Sequence, residues 1–275
     1  MKFGVTIPCL DPQVVAEIAA LAETKGWDGI FVWDADGSGT WIALAAAALR
    51  TSRIRLGTMV TPPSKRQPFE LAADVAWVDR ISHGRAGISM GLGMGGTWFS
   101  RIGYPPDRKA RAQWTDASID ILTKLWAGKR VTCTTPFFAL KGASLHKDYL
   151  PIQQPRVPMW MIGAWNWPRS IARALHCDGI IVEHLDKRKR RHDLTPGLIA
   201  EVRDHIHKTR TAKTPFDIVI EGRESSDVSR KTAGTVVRPY AEAGATWWTE
   251  AVWKRWYSAG VEGMRKRIAQ GPPTL

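Results

Sequence analysis

Short apolar runs and stretches with helical periodicity alternate along the whole chain. Residues 2–7 form the first strand-length run. Asp11 then offers an N-cap, and Pro12 sits in the first helical turn, where its missing N–H costs nothing. Val14, Ile18 and Leu21 follow at helical spacing, with Gly26 as a stop. Residues 29–33 (GIFVW) predict a second strand, bounded by Asp34, Asp36 and Gly37, and 41–52 an alanine-rich helix. Residues 54–60 predict a third strand, closed by Pro62-Pro63. Pro68 opens a helix whose Leu71, Val75, Val78 and Ile81 share a face. A fourth strand at 86–92 leads into a glycine-rich loop and a helix centred on 112–126. Residues 129–157 break the rhythm with scattered prolines and two small apolar pieces, which predicts an inserted hairpin or excursion.

The alternation then resumes. Strands are predicted at 158–163, 179–183, 216–220 and 245–252. The helices between them open at Pro168, at Thr195-Pro196 and at Asp227, the last ending near Gly244. A final helix spans 261–269. Eight strand–helix units in a chain of 275 residues predict an α/β fold, a (β/α)8 TIM barrel with an excursion around residues 129–157. An open doubly wound sheet is the rival, since strands covered on both faces suit either. The count of eight favours the barrel. No compositional shift marks a linker, so a single domain over 1–275 is expected.

Composition narrows the class further. With 44% hydrophobic and 24% charged residues, the chain is not of the disordered type. The longest apolar run, 41–49, falls well short of the ~20 residues of a membrane span, and no signal peptide is visible. Cys9, Cys133 and Cys177 are too few and too scattered for a disulfide framework or a cysteine zinc site, so a reduced, cytoplasmic protein is expected. The net charge of +13, from 39 basic and 26 acidic residues, favours anionic partners. Part of it is one run, Lys187-Arg188-Lys189-Arg190-Arg191, which reads either as a solvated loop or as help in holding an anionic ligand. Nucleic acid is disfavoured, because no recognition module accompanies the charge.

Three motifs carry candidate chemistry. Gly87-Ile88-Ser89-Met90-Gly91 matches the nucleophile elbow of serine hydrolases, but Ser89 lies within a strand rather than on a strand-to-helix turn, so a strand serine is expected. The stretch from Gly91 to Gly96 matches the dinucleotide fingerprint, but an aromatic pair and two prolines follow where a helix must begin. Its glycines still allow backbone to approach a ligand at a strand end. Gly163-Ala164-Trp165-Asn166-Trp167-Pro168 joins a strand to a helix start, an arrangement that offers free N–H groups to an anion. No histidine or cysteine spacing suggests a metal site. Of the fourteen tryptophans, Trp33, Trp98, Trp165 and Trp247-Trp248 sit at strand ends, where they are placed to wall a flat ligand.

These segments together resemble the luciferase-like monooxygenases, the flavin- or deazaflavin-dependent barrel oxidoreductases. The resemblance is carried by AEIAALAETKGWDGIFVWD, TSRIRLGTMVTPPSKRQPFELA, VDRISHGRAGISMGLG, PRVPMWMIGAW and ALHCDGIIVE, in that order. It implies an oxidoreductase or monooxygenase that acts on a small organic substrate by two-electron hydride transfer, with FMN or the deazaflavin F420 as cofactor and a homodimer as assembly. It implies cofactor contacts at Val60, Thr61, Arg66, Gly91, Gly93, Gly163, Ala164, Trp165 and Asn166. One position departs from the pattern. The family commonly carries a histidine after Trp-Asp at the second strand's end, and here Ala35 stands in that place. Asp34 and Asp36 are then the candidates for proton handling. A non-catalytic flavin-binding or cofactor-free barrel is the alternative that the missing histidine leaves open.

Overall fold

The structure is a computed structural model that describes residues 1–35, 37–93, 103, 107–188, 190–222 and 230–275. Parallel strands β1 (Lys2–Ile7), β2 (Gly29–Val32), β3 (Arg55–Thr58), β4 (Ala86–Met90), β7 (Met159–Trp165), β8 (Gly179–Leu185), β10 (Asp217–Gly222) and β11 (Trp247–Ala251) pair in that order. β11 returns to β1, with Lys2 opposite Trp247, so the ring closes. The barrel predicted from the strand count is therefore the observed fold, and the open sheet is excluded.

Helices α1 (Pro12–Thr24), α2 (Thr40–Arg50), α3 (Pro68–Ile81), α4 (Arg108–Trp126), α5 (Pro168–Leu175), α6 (Pro196–Thr209), α7 (Arg230–Glu242) and α8 (Trp253–Ala269) follow the barrel strands. Their starts are where the sequence signals them. Asp11 Oδ1 accepts from Gln13 N at 2.8 Å, and Thr195 Oγ1 accepts from Leu198 N at 3.2 Å. Each such cap stabilises its helix by about 1 kcal/mol. The expected cap Asp227 lies outside the described residues. The last helix begins at Trp253, well before the expected 261. It is kinked at Ala259 and Gly260, and that break hides its first half from a periodicity argument. The excursion is a two-stranded antiparallel hairpin, β5 (Val131–Thr134) and β6 (Ala139–Ala143), followed by a single turn at Lys147–Tyr149. A short strand, β9 (Arg191–His192), folds back on β8 and was not foreseen.

The barrel interior is closed at its lower half by three aromatic rings. Phe31, Trp160 and Trp247 lie with ring centroids 5.2–5.8 Å apart. They fit because the facing inward positions are glycines. A Cβ on Gly4 would stand 2.6 Å from the Phe31 ring, one on Gly29 2.9 Å from the same ring, and one on Gly179 2.6 Å from Trp160. Large rings facing glycines fill the bore at interior packing density, which makes the lower barrel a core and not a pore. Beneath them, the buried Arg55 guanidinium lies 5.4 Å from the Trp160 ring centre, and Asp217 accepts from Trp160 Nε1 at 3.0 Å. Above this plug, toward the carboxyl ends of the strands, the described residues enclose a cavity.

Candidate active site

A cavity of about 690 Å³ opens at the carboxyl rim, within the size range of small-molecule sites. Its floor and one wall are apolar, built from Met59, Val60, Leu92, Met161, Ile162 and Ile181. Gly93, at φ +75°, offers backbone and no side chain at the wall. Trp33, at the end of β2, stands at the mouth edge-on to Trp253, centroids 5.7 Å apart. α4 faces the cavity with Arg108 and with Arg111, whose Nε donates to Leu92 O at 3.0 Å.

Two clusters of opposite charge balance flank the cavity. At the β2 end Asp34 is buried, and two cations converge on it. Arg66 donates through NH1 to Oδ2 at 2.6 Å and through NH2 to Oδ1 at 3.2 Å. The buried Lys65 Nζ lies 3.5 Å from Oδ1 and donates to the backbone carbonyls of Asp34 at 2.9 Å and Ala35 at 2.6 Å. Across the barrel the stoichiometry is reversed. β8 and β10 pair with Ile181 opposite Val219, so two residues further on, Glu183 and Glu221 stand side by side on the inward face. Arg191, folded back by β9, approaches Glu183 at 3.4 Å and Glu221 at 3.2 Å. Burial raises the Glu183 carboxyl above the usual range and the neighbouring Glu221 adds to the rise, while Arg191 and Arg108 oppose it.

The sequence candidates distribute unevenly over this site. Asp34, Val60, Gly93 and Ala164 line the cavity. Gly91 lies directly behind the wall, where a Cβ would stand 3.0 Å from both Val60 Cγ2 and Ile162 Cδ1. Thr61 is fully buried beneath Val60, and its hydroxyl has no hydrogen-bond partner among the described residues. Arg66 donates to the lining residue Asp34 and is not itself on the cavity wall. Gly163 packs outward, toward Ile180 and Ile171. Trp165 also points outward, edge-on to His205 of α6. Asn166, at φ +73°, lines a second hollow of about 510 Å³ beside the first, with Trp167, His184, Lys187 and His192. Asp36, Lys189, Trp98 and the glycine loop beyond Gly93 lie outside the described residues. Ser89 is a buried strand residue tied through its backbone to Thr58, as expected. Among the described residues there is no cluster that would hold a metal ion.

Sequence reasoning missed Glu183, Glu221, Arg108, Arg111 and Trp253, whereas Arg191 belongs to the basic run read as help in holding an anionic ligand. A signal existed for the first of these. A glutamate that closes a β-rich run sits at a strand's carboxyl end, the face on which barrel sites are built.

Residues 4–270 match the family model described as luciferase-like monooxygenase. The chain belongs to the luciferase-like monooxygenase family. Among relatives of this family member, a putative coenzyme F420-dependent oxidoreductase of Mycobacterium tuberculosis is 34% identical over 183 residues, 61% of this chain but only 50% of that protein. An F420-dependent glucose-6-phosphate dehydrogenase of Beutenbergia cavernae is 27% identical over 250 residues, 86% of this chain and 70% of that protein. Solved structures of similar fold include an F420-dependent secondary alcohol dehydrogenase in complex with an F420–acetone adduct, with TM-score 0.75, 16% identity and coverage of 99% and 98% of the two chains. The F420-dependent tetrahydromethanopterin reductase of Methanopyrus kandleri superposes with TM-score 0.72 and 15% identity, over 98% of each chain. At that identity these two speak for the fold alone.

Proposed function

We propose that this luciferase-like family member is an oxidoreductase that binds F420 or FMN at the carboxyl rim and exchanges two electrons, as a hydride, with a small organic substrate. The observation that carries the reading is the rim cavity, with its apolar floor, its glycine-backed wall and the ionisable groups that line the rest of it. That lining fits the faces of a planar tricyclic ring, and the volume leaves room for a small substrate beside it. When bound, the ring supplies a hydride acceptor or donor.

The chain's own residues supply placement. Val60, Met161 and Ile162 present carbon to the ring and exclude water. Gly93 lets backbone approach, and Ala164 keeps the β7 wall low. Ser170 Oγ accepts from Ala164 N at 3.0 Å and so fixes the strand-to-helix turn. Asp34 holds Arg66 and Lys65 and thereby the loop that leads away from Val60. Holding two reactants in contact lowers the barrier by up to about 7–11 kcal/mol without any acid or base.

The names of the relatives support F420 ahead of FMN. The hairpin that carries Lys187, Arg188 and Arg190 stands beside the second hollow, a position suited to an anionic cofactor tail. A homodimer belongs to the same reading, since the outward face of α2 exposes Ile42 and Leu49. So does a cytoplasmic setting, since the three cysteines are free. Among the described residues no helix is long and apolar enough to cross a membrane.

The test is a fluorescence titration with F420 and with FMN, each oxidised and reduced, followed by F420 reduction with 2-propanol and with glucose 6-phosphate as electron-donor probes. Saturable binding of one cofactor is expected. Binding of neither would replace this reading with the cofactor-free barrel. Light scattering on the purified protein tests the dimer.

A further inference from the structure

A hydride transfer that interconverts an alcohol and a carbonyl also moves a proton at the substrate oxygen. Among the described residues on the cavity wall, the ionisable groups are Asp34, Glu183, Glu221, the three arginines 108, 111 and 191, and the Tyr257 phenol. The guanidiniums stay protonated at any working pH. Tyr257 is 79% exposed, out at the mouth. Asp34 is buried, and Arg66 and Lys65 engage both of its carboxyl oxygens. The carboxylate pair on β8 and β10 remains.

We propose that Glu183, paired with Glu221 across Arg191, is the proton-accepting group of this cavity. The inference rests on the reading of the site as a hydride-transfer site and deepens it.

The geometry is that of two like groups made unequal by their surroundings. Both carboxylates point inward from adjacent strands above Ile181 and Val219, and each side chain is only about a fifth exposed, 22% for Glu183 and 23% for Glu221. One arginine serves both, so the pair carries one more negative charge than positive. Among the described residues, three elements bring charge to Glu183. β10 brings Glu221, β9 brings Arg191, and α4 brings Arg108. β7 and the start of α5 bring only the neutral Ala164 and Ser170. His184 and His192 belong to the second hollow, where His192 Nε2 lies 3.4 Å from Asp186. Burial beside a like charge lifts Glu183 toward the working range of a general base, the pattern by which two neighbouring carboxyls take different roles.

The step balances. A bound deazaflavin or flavin ring would supply the two-electron acceptor for the hydride that leaves the substrate carbon. The O–H bond breaks heterolytically, its proton goes to Glu183, and its electron pair becomes the new C=O bond. Reduction of a carbonyl runs the same steps backward, with Glu183 as the acid. Arg191, 57% exposed on its side chain, links the pair to solvent.

The experiment compares wild type with Glu183→Gln, Glu221→Gln, Arg191→Gln and Asp36→Asn, using F420 binding and the two donor probes across pH. Glu183→Gln should bind F420 as wild type does, lose about 10²-fold or more in kcat, and lose the limb along which kcat/KM rises with pH. Glu221→Gln should keep that limb but move it to lower pH, because a like charge is gone. Arg191→Gln should move it to higher pH. The proposal is overturned if Glu183→Gln keeps kcat and the limb, or if Asp36→Asn removes the limb instead. A second measurement needs no cofactor: a carboxyl NMR titration of protein labelled with 13C at the glutamate side chains. The resonance missing from Glu183→Gln should titrate above the ordinary glutamate range and move down in Glu221→Gln. If it titrates at or below that range, the pair is not what we infer. Should wild type bind neither F420 nor FMN, the broader reading fails, while the carboxyl titration still decides the state of Glu183.

Discussion

The two ion clusters on the rim are built from the same chemical parts and do opposite things. At the β2 end one buried carboxylate receives two cations, each held further by backbone carbonyls or a paired donor fork. Both carboxyl oxygens are engaged there, and the cluster serves to fix the loop between β3 and α3. Across the cavity two carboxylates share one half-exposed arginine, and Glu183 is left holding its proton more tightly than usual. Charge stoichiometry and burial, not residue type, separate a fastener from a proton carrier.

The contrast breaks most sharply at Asp34. Asp34→Ala removes the carboxylate on which Lys65 and Arg66 converge in a buried setting, and about 3–5 kcal/mol of stability should go with it. Urea unfolding measures this. A loss below 1 kcal/mol would mean that the cluster is not structural. Arg191→Gln, on the opposite cluster, should cost no more than about 1 kcal/mol in the same assay, because the Arg191 side chain is itself more than half exposed to water.

Glu183→Gln sharpens the comparison through pH. A raised folded-state value means that folding favours the protonated form. Relative to the variant, wild type therefore keeps its full stability below the ordinary glutamate range and loses stability as pH rises through the folded value of Glu183. Parallel unfolding midpoints of the two proteins from pH 4 to 8 would contradict the assignment. The smallest effect concerns the hairpin. Replacing Lys187, Arg188 and Arg190 by glutamine should weaken F420 binding only a few-fold at low salt, and the difference should vanish in high salt. An affinity unchanged across the salt series would remove the hairpin from the binding surface.

The strands and helices were legible because their signals are local. Pro12, Pro68, Pro168 and Pro196 each stand at the first position of an observed helix. The hairpin insertion announced itself by breaking the rhythm. The kinked helix from Trp253 did not announce itself, because Ala259 and Gly260 interrupt the periodicity that would have extended it. The site was legible only in part. Val60, Gly93 and Ala164 lie at strand ends on the cavity wall, where the family resemblance put them. Arg66 reads in sequence as a basic ligand contact, yet it is consumed by Asp34. Gly163 and Trp165 occupy the right strand but face the helices, because neighbouring residues on a strand point to opposite sides.

The order of apolar runs, caps and glycines determined that this chain forms alternating strands and helices and joins the luciferase-like family. Those patterns are written over a few residues at a time, where hydrogen bonding and side-chain spacing act. Closure of the ring decided the rest. It set three aromatic rings over glycines from different strands and placed a cavity among the described residues of the carboxyl rim. It also brought Glu183, Glu221 and Arg191 together from three strands. Those neighbourhoods depend on register and on which face each strand turns inward, and charge and burial acquire their effect only once distant segments share the same space.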